Sequence, residues 1–126
     1  MLRAEAGARV AVLGASTNEE RYSFKAVRML KEHGFLPIPV HPAGHVVDQL
    51  QAVKSLDDIK EKVDTLSMYV GEKISSHQLD KILRLKPRRV IFNPGAENKE
   101  LADKLQKNGI EVVEACTLVM LRTEQF

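Results

Sequence analysis

The strongest constraint on this chain is an alternation: short runs of consecutive apolar, largely β-branched residues are separated by longer segments of helical period. Val10-Ala11-Val12-Leu13 and Val90-Ile91-Phe92 are apolar at successive positions, not at every second one. Such strands are covered on both faces, as in a parallel sheet packed between helices. The alternation therefore specifies an α/β protein with a mainly parallel sheet, its strands expected at residues 9–14, 36–40, 64–70, 89–92 and 111–114.

Helix signals fill the gaps. A helix is expected over 23–33, with Phe24, Val27, Met29 and Leu30 on its inner face and Gly34 supplying the left-handed residue at its end. Asn98 is placed to cap a helix whose face is Leu101, Ala102 and Leu105, and Lys107-Asn108-Gly109-Ile110 repeats the Glu32-His33-Gly34-Phe35 transition into a strand. Ser75-Ser76-His77-Gln78 reads as a capping box for a helix carrying Leu79, Ile82 and Leu83, stopped by Pro87. Residues 41–63 are the least patterned: His41-Pro42-Ala43-Gly44, an extended piece near Ala52-Val53, and a short helix opened by Ser55. Thr117 to Leu121 closes the core as a last helical turn or two.

A length of 126 residues corresponds to one domain, 1–126, large enough to be held by packing alone. The single cysteine, Cys116, excludes an intramolecular disulfide and suits a reducing cytoplasm. A formal charge of +2 with both signs interspersed is not that of a strong nucleic-acid binder, and without Trp the chain has little material for a base-stacking platform. No apolar run is long enough to span a bilayer, so neither a membrane nor nucleic acid is expected as a partner.

The chemistry concentrates where the first strand meets the first helix, at Gly14-Ala15-Ser16-Thr17-Asn18. Small residues let phosphates approach the backbone, and the following helix start offers unpaired N–H groups and a positive dipole end. In an open α/β sheet this point, beyond the carboxyl ends of the strands, is where ligands collect. The purely structural reading is a tight turn at Gly14 followed by a capping box, Ser16 with Glu19 or Thr17 with Glu20. Arg21 and Lys25 offset the repulsion that Glu19 and Glu20 would exert on a phosphate. Ordinary NAD binding is disfavoured: the full glycine fingerprint is absent, and the second strand ends Pro39-Val40-His41-Pro42 without an acidic residue for ribose hydroxyls.

These segments resemble the small stand-alone CoA-binding domain proteins, which are similar to the nucleotide-binding domain of succinyl-CoA synthetase α subunits. The resemblance spans nearly the whole chain and is carried by Gly14-Ala15-Ser16, Arg21-Tyr22-Ser23-Phe24, Ile38-Pro39-Val40-His41-Pro42, Ser55-Leu56-Asp57-Asp58-Ile59 before Val63-Asp64, Val90 to Ala96, and Cys116. It implies a three-layer Rossmann-like fold with a five-stranded sheet in the order 3-2-1-4-5. It implies CoA phosphates over Gly14, Ala15, Ser16, Thr17, Arg21 and Ser23, and an adenosine end near Val40, His41 and Pro42, bounded by Val70 and Gly71. Two positions depart from the family pattern: His41 stands where Asn is usual, and Glu114-Ala115-Cys116-Thr117 lacks the basic residue common beside the cysteine.

Other polar residues point less far. His41, His45 and Asp48 or Cys116 match no zinc spacing, which leaves His41 and His45 as solvated loop residues and no metal site expected. Cys116 reads as a packing residue, with nothing nearby in sequence to lower its pKa. No nucleophile-base-acid order or triphosphate loop stands out, so binding of CoA or acyl-CoA, as a carrier or sensor, is favoured over catalysis. The alternatives are an NAD(P)-using enzyme or redox regulator, and an interaction module that keeps the fold without the ligand.

Overall fold

The computed structural model describes residues 2–126. Five strands form one parallel sheet: β1 (Arg9–Leu13), β2 (Leu36–Val40), β5 (Thr65–Met68), β6 (Arg89–Phe92) and β7 (Glu111–Glu114), side by side in the order β2-β1-β5-β6-β7. Between β2 and β5 lie a small antiparallel hairpin, β3 (Val46–Val47) and β4 (Leu50–Gln51), and a 3-10 turn at Leu56–Asp58. The helices are α1 (Tyr22–Glu32), α2 (Glu72–Ser75), α3 (Leu79–Leu85), α4 (Lys99–Lys107) and α5 (Thr117–Arg122).

The consecutive apolar residues of β1 are sorted by the strand's twofold alternation. Ala11 and Leu13 join Leu66, Met68, Val90 and Phe92 in one core, closed by Leu56, Ile82, Leu101 and Leu105. Val10 and Val12 join Ile91 in the other, closed by Phe24, Val27 and Leu30 of α1 and by Met120, Leu121 and Phe126 at the carboxyl terminus. The result is a three-layer Rossmann-like α/β fold. Among the described residues no helix is long and apolar enough to cross a membrane.

The expected order 3-2-1-4-5 is met when the extended piece at Val53 is numbered third. Val53 makes a single parallel bridge to Val40 on the outer side of β2, giving 3-2-1-4-5 and then β7. Gly34 adopts the expected left-handed conformation at φ +86 after α1, and Asn98 caps α4, its Oδ1 accepting from Leu101 N at 3.1 Å. Two expectations fail. The capping box at 75–78 does not form: α3 begins after Gln78 without a side-chain cap, while Ser75 closes α2 and its hydroxyl accepts from Asn98 Nδ2 at 2.8 Å. The β3–β4 hairpin was not expected at all. Its turn residues Asp48 and Gln49, at φ 46 and φ 71, take the mirror-turn conformation without the glycine that normally announces it.

Candidate functional site

At the carboxyl end of β1 the backbone is drawn against its neighbours. Gly14 N and Ala15 N both donate to Val40 O, at 2.9 and 3.3 Å. Gly14 sits at φ +89, and a β-carbon there would lie 2.8 Å from Val70 Cγ1 and 3.1 Å from Tyr69 O. Only glycine satisfies both the left-handed conformation and the close approach. The expected capping boxes are absent. Ser16 Oγ accepts from Asn18 N at 3.0 Å, Asn18 Oδ1 accepts from Glu20 N at 2.9 Å, and Ser23 Oγ reaches back to accept from Ser16 N at 3.0 Å. These local bonds consume the side chains before the helix begins. α1 therefore opens at Tyr22 behind an extended Arg21 with no side-chain cap, and its first-turn N–H groups have no intrahelical acceptor.

Two clefts meet at this turn. The first, about 620 Å³, is lined by Gly14, Ser16, Glu20, Arg21, Tyr22, Ser23 and Tyr69. The second, about 420 Å³, has His41, Pro42, Val70 and Gly71 in its walls together with Lys54, Ser55, Ile74, Gln78 and Lys81. Gly14 and Tyr69 line both, so the clefts are contiguous across the end of the sheet. Of the residues singled out in the sequence, Gly14, Ser16, Arg21 and Ser23 meet in the first cleft and His41, Pro42, Val70 and Gly71 in the second. Ala15 and Val40 are fully buried behind them, and Thr17 is exposed and lines neither. Glu19 faces Arg28 at 3.4 Å, which leaves Glu20 as the carboxylate in the first cleft.

Tyr69, Lys54 and Lys81 were missed. Tyr69 falls inside the third expected strand, 64–70, but the observed strand ends at Met68, which puts the ring just past it at the mouth of both clefts. Its phenol oxygen is buried without a hydrogen-bond partner of good geometry, and burial pushes its pKa up to about 12, although the nearby Thr117 and Ser67 hydroxyls pull it down. Under it lies a closed polar network. Asn93 Nδ2 donates to Ser67 Oγ and Met68 O, both at 2.9 Å, Asn93 Oδ1 accepts from Thr117 N at 2.8 Å, and the Ser67 and Thr117 hydroxyls are 2.8 Å apart. Cys116 stands half-buried just before α5.

His41 and His45 are not the solvated loop residues expected. Their rings stack with centroids 4.3 Å apart, His45 Nε2 donates to Ala15 O at 3.1 Å, and His41 Nδ1 accepts from Ala43 N at 3.0 Å. The stack thus ties the 41–45 loop to the glycine turn. Burial, and then the neighbouring His45, hold His41 below the ordinary imidazole range. Asp48 is taken by Arg28 at 3.0 Å and Lys31 at 2.7 Å. Its carboxylate is held below the usual range by the hydrogen bonds from Arg28 and Lys31.

A glycine turn, an uncapped helix start and two neighbouring clefts thus lie together beyond the strand ends, the part of an open α/β sheet where ligands collect. Comparison with solved structures agrees on the fold. An uncharacterized protein 40% identical aligns at a TM-score of 0.91, covering 97% of this chain and 100% of its own. A Thermus thermophilus protein 32% identical aligns at 0.86, over 95% of this chain and 91% of its own. The acetyl-coenzyme A synthetase 1 of Ca. Korarchaeum cryptofilum, solved with phosphate and ADP, shares the fold at 19% identity and a TM-score of 0.74, over 87% of this chain and 26% of that enzyme. Residues 8–122 match the family model described as a CoA binding domain, and the chain belongs to that family.

Proposed function

We propose that this protein binds CoA or an acyl-CoA in the cytoplasm as a carrier or sensor, without transforming it. The diphosphate would lie in the first cleft, over the Gly14-Ala15-Ser16-Thr17 backbone and the first turn of α1, with the Arg21 guanidinium and Ser23 beside it. The adenosine would occupy the second cleft, against His41 and Pro42, backed by Val40 and bounded by Val70 and Gly71. The observation that carries this reading is the uncapped start of α1 facing the glycine turn, because donors left unpaired by the chain are available to an anion. Buried Ala15 and Val40 would act through the backbone shape they set.

Calorimetry with CoA and NAD at equal salt tests it. CoA is expected to bind at least tenfold tighter, about 1.4 kcal/mol, since the second strand lacks an acidic residue to hold the nicotinamide dinucleotide's ribose. NAD binding as well as or better than CoA overturns the reading, and binding of neither points to an interaction module.

A further inference from the structure

The two clefts differ in charge. The first pairs one cation, Arg21, with one carboxylate, Glu20. The second contains Lys54 and Lys81 and no carboxylate at all. Three surface lysines are matched to acids: Lys31 with Asp48 at 2.7 Å, Lys104 with Glu100 at 3.1 Å, Lys99 with Asp103 at 3.7 Å. Neither Lys54 nor Lys81 has an ion-pair partner among the described residues. Asp57, the acid whose field reaches Lys81, is engaged on both oxygens by Arg84, at 3.0 and 2.9 Å.

Lys54 is also positioned. A β-carbon on Gly44 would lie 3.0 Å from Lys54 Cε and 3.2 Å from Cγ, so the lysine's stem lies along the bare Gly44 backbone. That seat restricts where the ammonium is carried, which lowers the entropy lost when it engages an anion. Two lysines line one cleft that has no carboxylate in its walls, and the ligand chemistry that suits both is a doubly charged phosphate monoester.

We infer that Lys54 and Lys81 form a phosphomonoester subsite in the second cleft, which reads the phosphate carried on the adenosine ribose of CoA and selects CoA over its dephosphorylated form. This assignment rests on the reading that the adenosine end lies in that cleft. In this division of labour the glycine turn and α1 take the diphosphate that many nucleotides share, and the lysines recognise the group that distinguishes CoA.

The test is calorimetry of the parent and of a Lys54→Met/Lys81→Met variant with CoA and with dephospho-CoA. Methionine keeps the apolar stems and removes the charges. The parent is expected to bind CoA at least tenfold tighter than dephospho-CoA, and the variant to bind both at the parent's dephospho-CoA affinity, which also reports that its fold and diphosphate site are intact. Equal binding of the two ligands by the parent overturns the inference with no variant needed, as does an equal loss for both ligands in a variant whose melting temperature is unchanged. If the parent binds dephospho-CoA tightly without discrimination, the subsite fails while the CoA-type reading stands. If it binds neither ligand, both fall together.

Discussion

Two of the strand-to-turn-to-helix units at the carboxyl edge of this sheet, those after β1 and after β6, treat their polar groups in opposite ways. After β6 the chain runs Asn93-Pro94-Gly95-Ala96-Glu97-Asn98 into α4 and satisfies itself: Gly95 N donates to Glu97 Oε1 at 2.9 Å, Ala96 N donates to Asn93 O at 2.8 Å, Asn98 caps the helix, and the buried Asn93 side chain makes three hydrogen bonds, to Ser67 Oγ and Met68 O of β5 and from Thr117 N of α5. After β1 the chain runs Gly14-Ala15-Ser16 into α1 and leaves the helix start uncapped beside an open cleft. A turn that spends its donors internally is a structural clasp. One that leaves them free has donors to offer an anion, as the proposed function requires. The same local topology thus serves stability on one side of β5 and, in the proposed reading, recognition on the other, and the deciding residues are Asn93 and Asn98, whereas Asn18 of the first turn is spent on Glu20 N and does not cap α1.

The largest effect that would test this contrast is at Asn93. It is 1% exposed, and its amide joins Ser67, Met68 O and Thr117 N; Asn93→Ala would leave Thr117 N buried and unpaired, while Ser67 keeps the Thr117 hydroxyl and Met68 O keeps the backbone N–H of residue 93. One orphaned buried group costs about 1–3 kcal/mol and each further lost hydrogen bond about 1 kcal/mol, so a loss of about 3 kcal/mol in unfolding free energy is expected from chemical denaturation. The variant that still folds is expected to bind CoA close to the parent's affinity. If stability barely changes while CoA binding collapses, the clasp and the site have been assigned to the wrong turns.

Arg21→Ala is the converse and smaller experiment. Arg21 is exposed and has no ion-pair partner among the described residues, so its removal is expected to leave the melting temperature nearly unchanged. CoA affinity is expected to fall about tenfold, or about 1.4 kcal/mol, the lower range for a charge-assisted contact that solvent partly screens. Titration with pantetheine, which has no phosphate, is the control, and its affinity should not move. Unchanged CoA binding would place the diphosphate away from this turn.

What was legible in the sequence follows the range of the interactions involved. The β1–Gly14–α1 unit was readable because an apolar run, a glycine and a helical face are all local, and the consecutive apolar pattern stated the two-sided burial directly. The capping boxes at 16–20 and 75–78 were misread for a shared reason: Ser16 and Ser75 met nearer or more distant partners, Asn18 N and Asn98 Nδ2, that competed for the same hydroxyls. The hairpin at 46–51 has no turn glycine, and its Asp48 is held by Arg28 and Lys31 from α1, a tertiary support that no local pattern records. Lys54 and Lys81 are 27 positions apart in sequence and are brought to one cleft by the hairpin region and α3. Composition gave no hint of that meeting.

The smallest expected effect concerns how the open turn is propped. The β6 turn is clasped by amide, hydroxyl and backbone groups together with the Glu97 carboxylate, whereas the β1 turn is held from the side by an imidazole stack, through the bond from His45 Nε2 to Ala15 O. Because His41 is held below its ordinary range in the folded protein, the folded state binds fewer protons than the unfolded chain between the two pKa values, and stability rises with pH across that interval. The contribution is complete above the unfolded value, about 6.5, and is lost as pH falls through the folded one. Protonation also removes the Nδ1 lone pair that accepts from Ala43 N, so the loop at 41–45 loosens as the charge appears. Urea midpoints of the ligand-free protein at pH 7.5 and 5.5 measure this, with His41→Gln as the reference, since it differs from the parent at this residue alone. The parent is expected to lose more stability on acidification than the variant. Equal losses would mean that the stack responds to pH no more than the asparagine clasp does, and that the two turns differ in their free donors alone.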